Sequence, residues 1–449
     1  MANEYIKDVL TTIATHSRAL FALEKYTKGS QKSLVGVCDD LLSMTGEALG
    51  VALASQFIEC YESLNPQQRQ SFFTTLRDNY CHDAVALGAA TAQYQNSPDI
   101  QAIRAINAAS EPRRRELFRR INLAPGGTAA LVSMRRELLG FMKEDPSLKD
   151  VDYDLKYLFV SWFNRGFLEM RRIDWNTSAA VLEKIIRYEA VHAISDWDDL
   201  RRRIDPPDRY CYAFFHPSLV DDPLIFVEVA LTEEKAIAIQ PVLAEDRQTL
   251  PPHKADTAVF YSISNCQIGL RGISFGSFLI KQVVENLKME LPNLSRFITL
   301  SPIPNFVTWL RTQPAKRLLC NSEEAAGALI DQLVNGDWMD DKNKQTQYDK
   351  LLRPLAAHYF FEAKSRGKPF DPVARFHLGN GASLEKVNWM ADISENGLRQ
   401  SVGMMVNYRY KINDIEKNHE RYAERDEVVA TAKVTRLLGS VDVCLSEEI

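Results

Sequence analysis

The chain has 449 residues, of which 45% are hydrophobic and 25% charged, and its formal net charge is −5 at pH 7. This composition is close to the globular average, so it excludes a disordered chain, a collagen and a simple coiled coil. The acidic balance argues against a nucleic-acid partner, and no run of about 18 apolar residues is present to span a membrane. The length predicts two or three domains.

The seven cysteines are spread along the chain, are odd in number and include no CxxC pair. This pattern favours reduced thiols over disulfides or zinc ligands. The N-terminal stretch lacks the apolar core of a secretory signal, and the C-terminal LSEEI matches no lipidation or peroxisomal signal. We therefore expect a cytoplasmic protein.

Residues 1–160 show helical patterning throughout. Apolar residues from Leu34 to Phe57 recur near helical spacing, and Asn65 followed by Pro66 predicts a helix start. Pro112 and the turn at residues 125–127 separate two further predicted helices. No segment of this region has the alternation of a strand ladder, so the first third predicts an all-α, antiparallel helical bundle.

Strand patterns begin after Pro206 and Pro207. The predicted strands are rich in β-branched and aromatic residues and cover residues 209–216, 223–231, 257–264 and 297–301. An amphipathic helix that ends before Pro292 lies between the third and the fourth, so two strands are expected to be parallel neighbours. The aromatic segment 157–175 predicts a buried helix between two units, and we place the domain boundary between residues 162 and 163.

The loop between the third strand and this helix, residues 265–277, contains three glycines and Arg271. A glycine-bearing loop that runs into a helix start presents unpaired N–H groups and the positive end of the helix dipole, which suits a phosphate. The alternative is an ordinary connecting loop whose glycines only permit tight turns.

Residues 272–276 also match G-x-S-x-G, the nucleophile elbow of the α/β-hydrolases, with Ser274 as the nucleophile. An acid precedes a histidine downstream, as Asp371 precedes His377, so the chain order of a triad is not excluded. The elbow serine follows its strand directly, however, whereas about ten residues separate Ser274 from the end of the predicted strand. This spacing argues against a hydrolase.

Two further residues are candidates for catalysis. Ser301 ends a predicted strand, at the sheet edge where open α/β sheets bind ligands, although it could simply cap the next helix. His377 ends an apolar run before a Gly-Asn-Gly turn, and its imidazole could serve as general acid or base, or be a structural histidine. The other histidines are widely spaced and HExxH is absent, so we expect no metal site.

Three blocks of the sequence, residues 261–287, 297–310 and 376–410, resemble the malonyl-CoA decarboxylase family. The resemblance extends over nearly the whole chain, including the helical first third. It implies an α+β multidomain protein: an all-α helical domain for oligomer assembly (1–162), then a GNAT-like, acetyltransferase-type α/β catalytic domain (163–449). Asn305 departs from the family pattern, in which glycine is common at this position.

The resemblance also implies an activity and a site. Malonyl-CoA would be converted to acetyl-CoA and CO2, without a cofactor, through a thioester enolate that a histidine protonates. The implied catalytic residues are Ser301 and His377, both in contact with substrate, with Tyr410 in support. The implied acyl-CoA loop consists of Arg271, Gly272, Ile273, Ser274, Phe275, Gly276 and Ser277. Partners would be malonyl-CoA and further copies of the chain, as in a tetramer, with no nucleic acid and no membrane.

Two other functions are compatible with the same pattern. An acetyltransferase would use the same fold and loop to pass an acyl group to an amine acceptor. A non-catalytic CoA-binding regulator would need the loop but not the candidate catalytic residues. The requirement for an acceptor, and turnover itself, separate these functions from a decarboxylase.

Overall fold

A computed structural model of the protein describes residues 33–44, 46–273, 279–320, 322–365 and 367–439. The N-terminal amphipathic segment, positions 274–277 of the predicted loop and Cys444 lie outside these described residues. Among the described helices, none has the length and apolar character needed to cross a membrane.

The described chain forms two compact units. The first comprises residues 33–168 together with two later segments, 216–220 and 267–273, and the second comprises the rest. The boundary predicted from the sequence, between 162 and 163, assigns those two later segments to the catalytic domain. Their contacts instead place them with the helices of the first unit.

The first unit is helical, as the sequence predicts. Its helices are α1 (Leu34–Ser43), α2 (Glu47–Glu62), α3 (Pro66–Asn79), α4 (Ala84–Asn96), α5 (Ile100–Ser110), α6 (Arg113–Asn122), α7 (Gly127–Phe141) and α8 (Lys149–Trp162). The predicted start of α3 is confirmed: the Asn65 side chain accepts from the Gln68 N–H at 2.9 Å, and Pro66 occupies the first turn.

Segment 267–273 packs on α7 through Arg135. The buried Arg135 guanidinium donates to the carbonyl oxygens of Gly269 at 2.7 Å and Arg271 at 3.0 Å, and pairs with Asp152 at 2.7 Å. A Cβ atom on Gly269 would lie 2.0 Å from the Val132 carbonyl oxygen. Only glycine permits this approach, which explains why the start of the predicted loop belongs with the helical unit.

The second unit is built on a mixed sheet. Its strands are β1 (Glu169–Ile173), β2 (Arg209–Phe215), β3 (Ile225–Thr232), β4 (Thr257–Asn265), β5 (Arg296–Thr299), β6 (Ser301–Pro302), β9 (Ser383–Asn388) and β10 (Met405–Arg409), with a separate pair β7 (Lys364–Ser365) and β8 (Lys368–Pro369). The helices are α9 (Ala179–Tyr188), α10 (Trp197–Ile204), α11 (Gln240–Leu243), α12 (Leu279–Glu290), α13 (Phe306–Leu310), α14 (Gln313–Leu319), α15 (Glu323–Asn335), α16 (Lys342–Glu362), α17 (Pro372–Gly379), α18 (Glu395–Ser401), α19 (Ile415–Arg425) and α20 (Ala432–Leu438).

The sheet order is β1-β2-β3-β4-β5-β10-β6, and β9 also pairs with β10. Strands β1 to β4 are antiparallel, whereas β4 and β5 are parallel with α12 between them in the chain, as the strand–helix–strand pattern predicts. This order confirms the predicted α+β class, a helical region followed by a mixed sheet.

The prediction of one buried helix over residues 157–175 is wrong in its second half. Helix α8 ends at Trp162, and β1 pairs with β2 from Glu169 opposite Phe215 to Ile173 opposite Cys211. Strand β1 is a short edge strand on which only Ile173 is buried. Its apolar pattern is therefore weak. The aromatic residues before it continue the apolar pattern of the helix, so the sequence does not show where the helix ends and the strand begins.

Parallel pairing of β4 and β5 ends at Phe260 and Thr299. Strand β4 continues to Asn265. The segment after β5 passes through Leu300 into β6, which pairs with β10 and not with β4. Within the described residues no strand covers this edge of β4 beyond Phe260. The two strands thus diverge at their carboxyl ends and open a crevice.

Helix α17 leads into a turn that only glycine can form without strain. Gly381 has φ +81°, and a Cβ atom there would lie 2.1 Å from the Ile415 carbonyl oxygen. Gly367 has a similar φ of +82°, but the nearest atom to its Cβ would be the Asp426 carboxylate at 3.5 Å.

We expect Gly381→Ala to lower the free energy of unfolding by at least about 3 kcal/mol, because overlap with the backbone adds to left-handed strain. Gly367→Ala should cost only the strain, about 1–2 kcal/mol. Urea unfolding of both variants measures the difference, and equal losses would contradict the assigned contact with Ile415.

Candidate active site

A cavity of about 200 Å³ lies in the crevice between β4 and the β5–β6 chain. The residues that line it are Val191, Phe260, Tyr261, Ile263, Asn265, Ser301, Pro302, Pro372, Val373, Phe376 and His377. None of these described lining residues is an aspartate, glutamate, lysine or arginine. The position agrees with the general rule that α/β sheets bind ligands beyond the carboxyl ends of parallel strands.

Three candidate residues are joined by hydrogen bonds at the wall of this cavity. The Ser301 Oγ atom lies 3.0 Å from His377 Nε2, and His377 Nδ1 lies 2.8 Å from the Tyr410 hydroxyl. All three side chains are buried. Residues separated by more than a hundred positions in the chain therefore form one continuous polar chain inside the second unit.

Helix α17 delivers His377 to the cavity. The Asp371 carboxylate caps the helix by accepting from the Ala374 N–H at 2.8 Å, and Pro372 begins its first turn. His377 lies in the last turn, two residues before the helix ends at Gly379. The Asp371 cap accepts a further hydrogen bond at 3.1 Å from the buried Tyr359 hydroxyl.

Two residues that the sequence did not single out complete the surroundings of this chain. The Ser301 hydroxyl donates to Thr299 Oγ1 at 2.8 Å. Thr299 Oγ1 also accepts from the Tyr408 N–H at 3.1 Å. The Tyr408 ring stacks on the His377 imidazole, with centroids 4.5 Å apart and planes inclined by 25°. Thr299 lies within the fourth predicted strand, two residues before Ser301, and nothing in its sequence neighbourhood marks it.

Burial keeps His377 neutral. Loss of hydration lowers the pKa of the imidazole to about 3 from its ordinary value of 6.5. Burial also raises the pKa of the Tyr410 hydroxyl well above its ordinary value, so the resting group is a phenol at neutral pH. The imidazolium that a proton-donating histidine suggests is thus not the form this site holds at neutral pH.

The hydrogen bonds also determine which nitrogen of His377 carries the proton. Ser301 has a single hydroxyl hydrogen, which it donates to Thr299. Its bond with His377 must then be donated by Nε2–H, and Nδ1 accepts from the Tyr410 hydroxyl. The direction of the chain is therefore Tyr410 to His377 to Ser301 to Thr299.

The predicted acyl-CoA loop is described only in part. Arg271, Gly272 and Ile273 belong to the first unit, where Arg271 is exposed and Gly272 has φ +76°. A Cβ atom on Gly272 would lie 3.5 Å from the Lys156 ammonium nitrogen. Ser274, Phe275, Gly276 and Ser277 lie outside the described residues.

Asn305 is compatible with the turn after Ser301. Its φ of −110° lies outside the left-handed region that favours glycine. The departure from the family pattern at this position therefore imposes no backbone strain.

Family comparison covers most of the chain. The family domain described as "Malonyl-CoA decarboxylase N-terminal domain" matches residues 80–163, and the one described as "Malonyl-CoA decarboxylase C-terminal domain" matches residues 166–446. The mitochondrial malonyl-CoA decarboxylase of Rattus norvegicus is 37% identical over 365 residues, which are 76% of this chain and 74% of that protein.

Solved structures of the same family are also similar. The crystal structure of malonyl-CoA decarboxylase from Rhodopseudomonas palustris matches with a TM-score of 0.86 and 50% identity, covering 90% of this chain and 98% of that chain. That from Agrobacterium vitis matches with a TM-score of 0.84 and 48% identity, covering 90% and 99%.

Proposed function

The chain belongs to the malonyl-CoA decarboxylase family, and on this premise we propose that it is a carboxy-lyase that converts malonyl-CoA into acetyl-CoA and CO2. The observation that carries the proposal is the buried, hydrogen-bonded series Tyr410, His377 and Ser301 at the wall of a cavity whose described lining residues carry no charge. Such a site can deliver a proton from its side chains to carbon, which the enolate left by decarboxylation requires.

The uncharged lining suits the loss of CO2. A malonyl carboxylate that enters this cavity loses hydration and gains no cation from the described lining residues. Breaking the bond to CO2 moves its electron pair into the thioester, whose enolate spreads the charge over carbon and oxygen. Desolvation therefore raises the free energy of the carboxylate more than that of the enolate. The thioester itself accepts the electron pair, so the proposed step uses no cofactor.

The enolate is then protonated on carbon by a relay in which His377 is the central donor. The carbon takes the Ser301 hydroxyl proton while Ser301 Oγ takes the proton of His377 Nε2, at 3.0 Å. His377 Nδ1 takes the phenol proton of Tyr410, at 2.8 Å, and the phenolate recovers a proton from water. One proton is consumed and CO2 leaves, so the reaction balances and no imidazolium forms.

Binding of the CoA portion is assigned to the loop at 271–277. Backbone N–H groups and the fixed charge of Arg271, which is exposed, suit phosphate groups. These local groups set the field for the anion, so the overall charge of −5 does not oppose binding.

We expect purified protein to release CO2 and acetyl-CoA from malonyl-CoA without any amine acceptor. Ser301→Ala and His377→Ala should each lower kcat by at least about 10²-fold, because each breaks the relay. Ser401→Ala removes another buried serine hydroxyl, one bonded to Met404 O at 2.6 Å, and should leave the rate unchanged. A coupled assay of CO2 release measures the rates of the wild type and of the three variants.

Two outcomes would contradict this assignment. Unchanged malonyl-CoA in the absence of an amine, with turnover in its presence, would indicate an acetyltransferase. An inactive Ser274→Ala variant together with an active Ser301→Ala variant would favour the hydrolase alternative.

The pH dependence tests the neutral relay separately. His377 acts in its neutral form, and burial lowers its pKa to about 3, so that form is lost only as the pH falls toward this value. We expect kcat/KM to show no histidine titration between about pH 5.5 and 8. A catalytic imidazolium with an ordinary pKa would instead give a fall of about tenfold per pH unit above about 6.5. Initial rates at subsaturating malonyl-CoA and constant ionic strength distinguish the two.

We further propose that the chain forms a homo-oligomer through the hairpin of α4 and α5. Only Ala90 and Ala102 are buried in these two helices, whereas Val85 is 83% and Ile100 is 62% exposed. Residues 84–110 contain just two charged residues, one of each sign, so two copies of this surface meet without repulsion. A tetramer and a cytoplasmic location remain predictions from the sequence; the rat relative is named as mitochondrial.

The double variant Ile100→Glu/Ile103→Glu should therefore have a smaller mass in solution than the wild type, because it places charge in an apolar contact. Met289→Glu changes another exposed apolar residue, 74% exposed and outside the hairpin, and should leave the mass unchanged. Light scattering after gel filtration gives the masses. A monomeric wild type, or an unaltered double variant, would exclude this interface.

A further inference from the structure

We propose that Thr299 is a positioning residue that fixes the direction in which the proton relay runs. The proposal rests on the proposed function for its kinetic consequence, whereas its structural consequence, the tautomer of His377, stands without turnover. Thr299 does not line the cavity and is fully buried, and its hydroxyl is hydrogen-bonded to Ser301, which does line the cavity, and to the Tyr408 N–H.

Thr299 lies at a break in the strand ladder. Strand β10 pairs with β5 at Arg409 opposite Ile298, and with β6 at Val406 opposite Ser301. Between these two pairs, side-chain hydrogen bonds replace the backbone ladder. The Thr299 hydroxyl oxygen accepts from the Tyr408 N–H at 3.1 Å, and its carbonyl oxygen accepts from the Asn407 amide at 2.7 Å.

The Tyr408 N–H occupies one lone pair of the Thr299 hydroxyl oxygen. A backbone N–H can only donate, so the Thr299 oxygen that faces it must accept. This fixes the orientation of a lone pair and leaves a second lone pair for the Ser301 hydroxyl, 2.8 Å away. In this second bond the Ser301 hydroxyl is the donor.

The donor–acceptor direction of the Ser301–Thr299 hydrogen bond sets the direction of the other two hydrogen bonds. Because Ser301 donates to Thr299, its oxygen presents lone pairs to His377 and holds the proton on Nε2. Nδ1 is then the acceptor for Tyr410. During turnover the Ser301 hydroxyl rotates about its Cβ–Oγ bond from Thr299 to the enolate carbon, and its bond from Nε2–H is kept throughout.

Without an acceptor at position 299, the chain would reverse. The Ser301 hydroxyl would turn to its remaining acceptor, Nε2, and the imidazole proton would move to Nδ1 and face Tyr410. Nε2 would then have no proton to give, and Tyr410 would accept rather than donate. The three groups would stay at the same distances and yet the relay would no longer lead to carbon.

The kinetic test compares Thr299→Val with Thr299→Ser. Valine has nearly the shape of threonine but no acceptor, so we expect kcat to fall at least about tenfold while KM changes less than about threefold. Serine keeps the oxygen and should retain kcat within about threefold. Thr257→Val, at another buried strand threonine, is the matched control and should leave kcat unchanged.

The tautomer test uses the same variants without substrate. In ¹⁵N-histidine-labelled protein the protonated and bare ring nitrogens have well-separated shifts, and His377→Gln identifies the resonances of His377. We expect protonated Nε2 in wild type, Thr299→Ser and Thr257→Val, and protonated Nδ1 in Thr299→Val. If Thr299→Val does not fold, Thr299→Cys, with a weakly accepting sulfur, should give a mixture of the two tautomers.

The outcomes separate the two proposals. An Nε2-protonated His377 in Thr299→Val, or in a folded Thr299→Cys with no Nδ1 form, would overturn the role of Thr299 whatever the rates are. Loss of activity in Thr299→Val with an unchanged tautomer would show an ordinary packing role and would overturn it too. A wild type that does not act on malonyl-CoA would remove the proposed function and leave the tautomer result valid.

Discussion

The site depends on one constraint, the end of parallel pairing between β4 and β5 at Phe260 and Thr299. Beyond this point the two strands have different neighbours, so the space between them is not filled by a ladder. The same divergence brings Ser301 onto a short strand beside β10, within reach of His377 on α17. The cavity and the positions of Ser301 and Thr299 thus follow from one feature, the loss of pairing with β4 while pairing with β10 is kept.

Burial then determines what chemistry these groups can perform. Among buried side chains each new charge is costly, and the lowering of the pKa of His377 to about 3 corresponds to several kcal/mol against forming an imidazolium. A relay of neutral donors avoids that cost, because each group gives one proton as it receives another. In the proposed mechanism, the negative charge that enters with the malonyl carboxylate would move to the enolate and then to Tyr410, and no second charge would be created.

Local patterns predicted most of the fold. The four strands and the helix between the last two were evident from β-branched runs and from the spacing of Leu279, Val283 and Leu287, because these residues face one core. Strand β1 was missed because an exposed edge strand with two arginines has little apolar alternation. Strands β9 and β10 were not predicted either, although they complete the sheet around the site.

The site was predictable only where a residue is marked by its own neighbours in the chain. Ser301 at a strand end and His377 before a glycine turn carry such marks, whereas Tyr410 was expected only from the family resemblance. Thr299 and Tyr408 carry none, since their roles arise from a ladder break between segments more than a hundred residues apart. A non-local irregularity of this kind has no signature in a single sequence.

The mildly acidic composition gave no indication of a site for a polyanion, and the structure explains why it need not. The described residues that line the cavity carry no charge, so they would offer a malonyl carboxylate little binding free energy. Affinity must then come from the remote parts of the substrate, which do not change during reaction, while the reacting group is held in surroundings that favour its loss of charge density. An arginine in the cavity would strengthen binding of the substrate, yet it would stabilise the carboxylate more than the enolate and so slow the reaction.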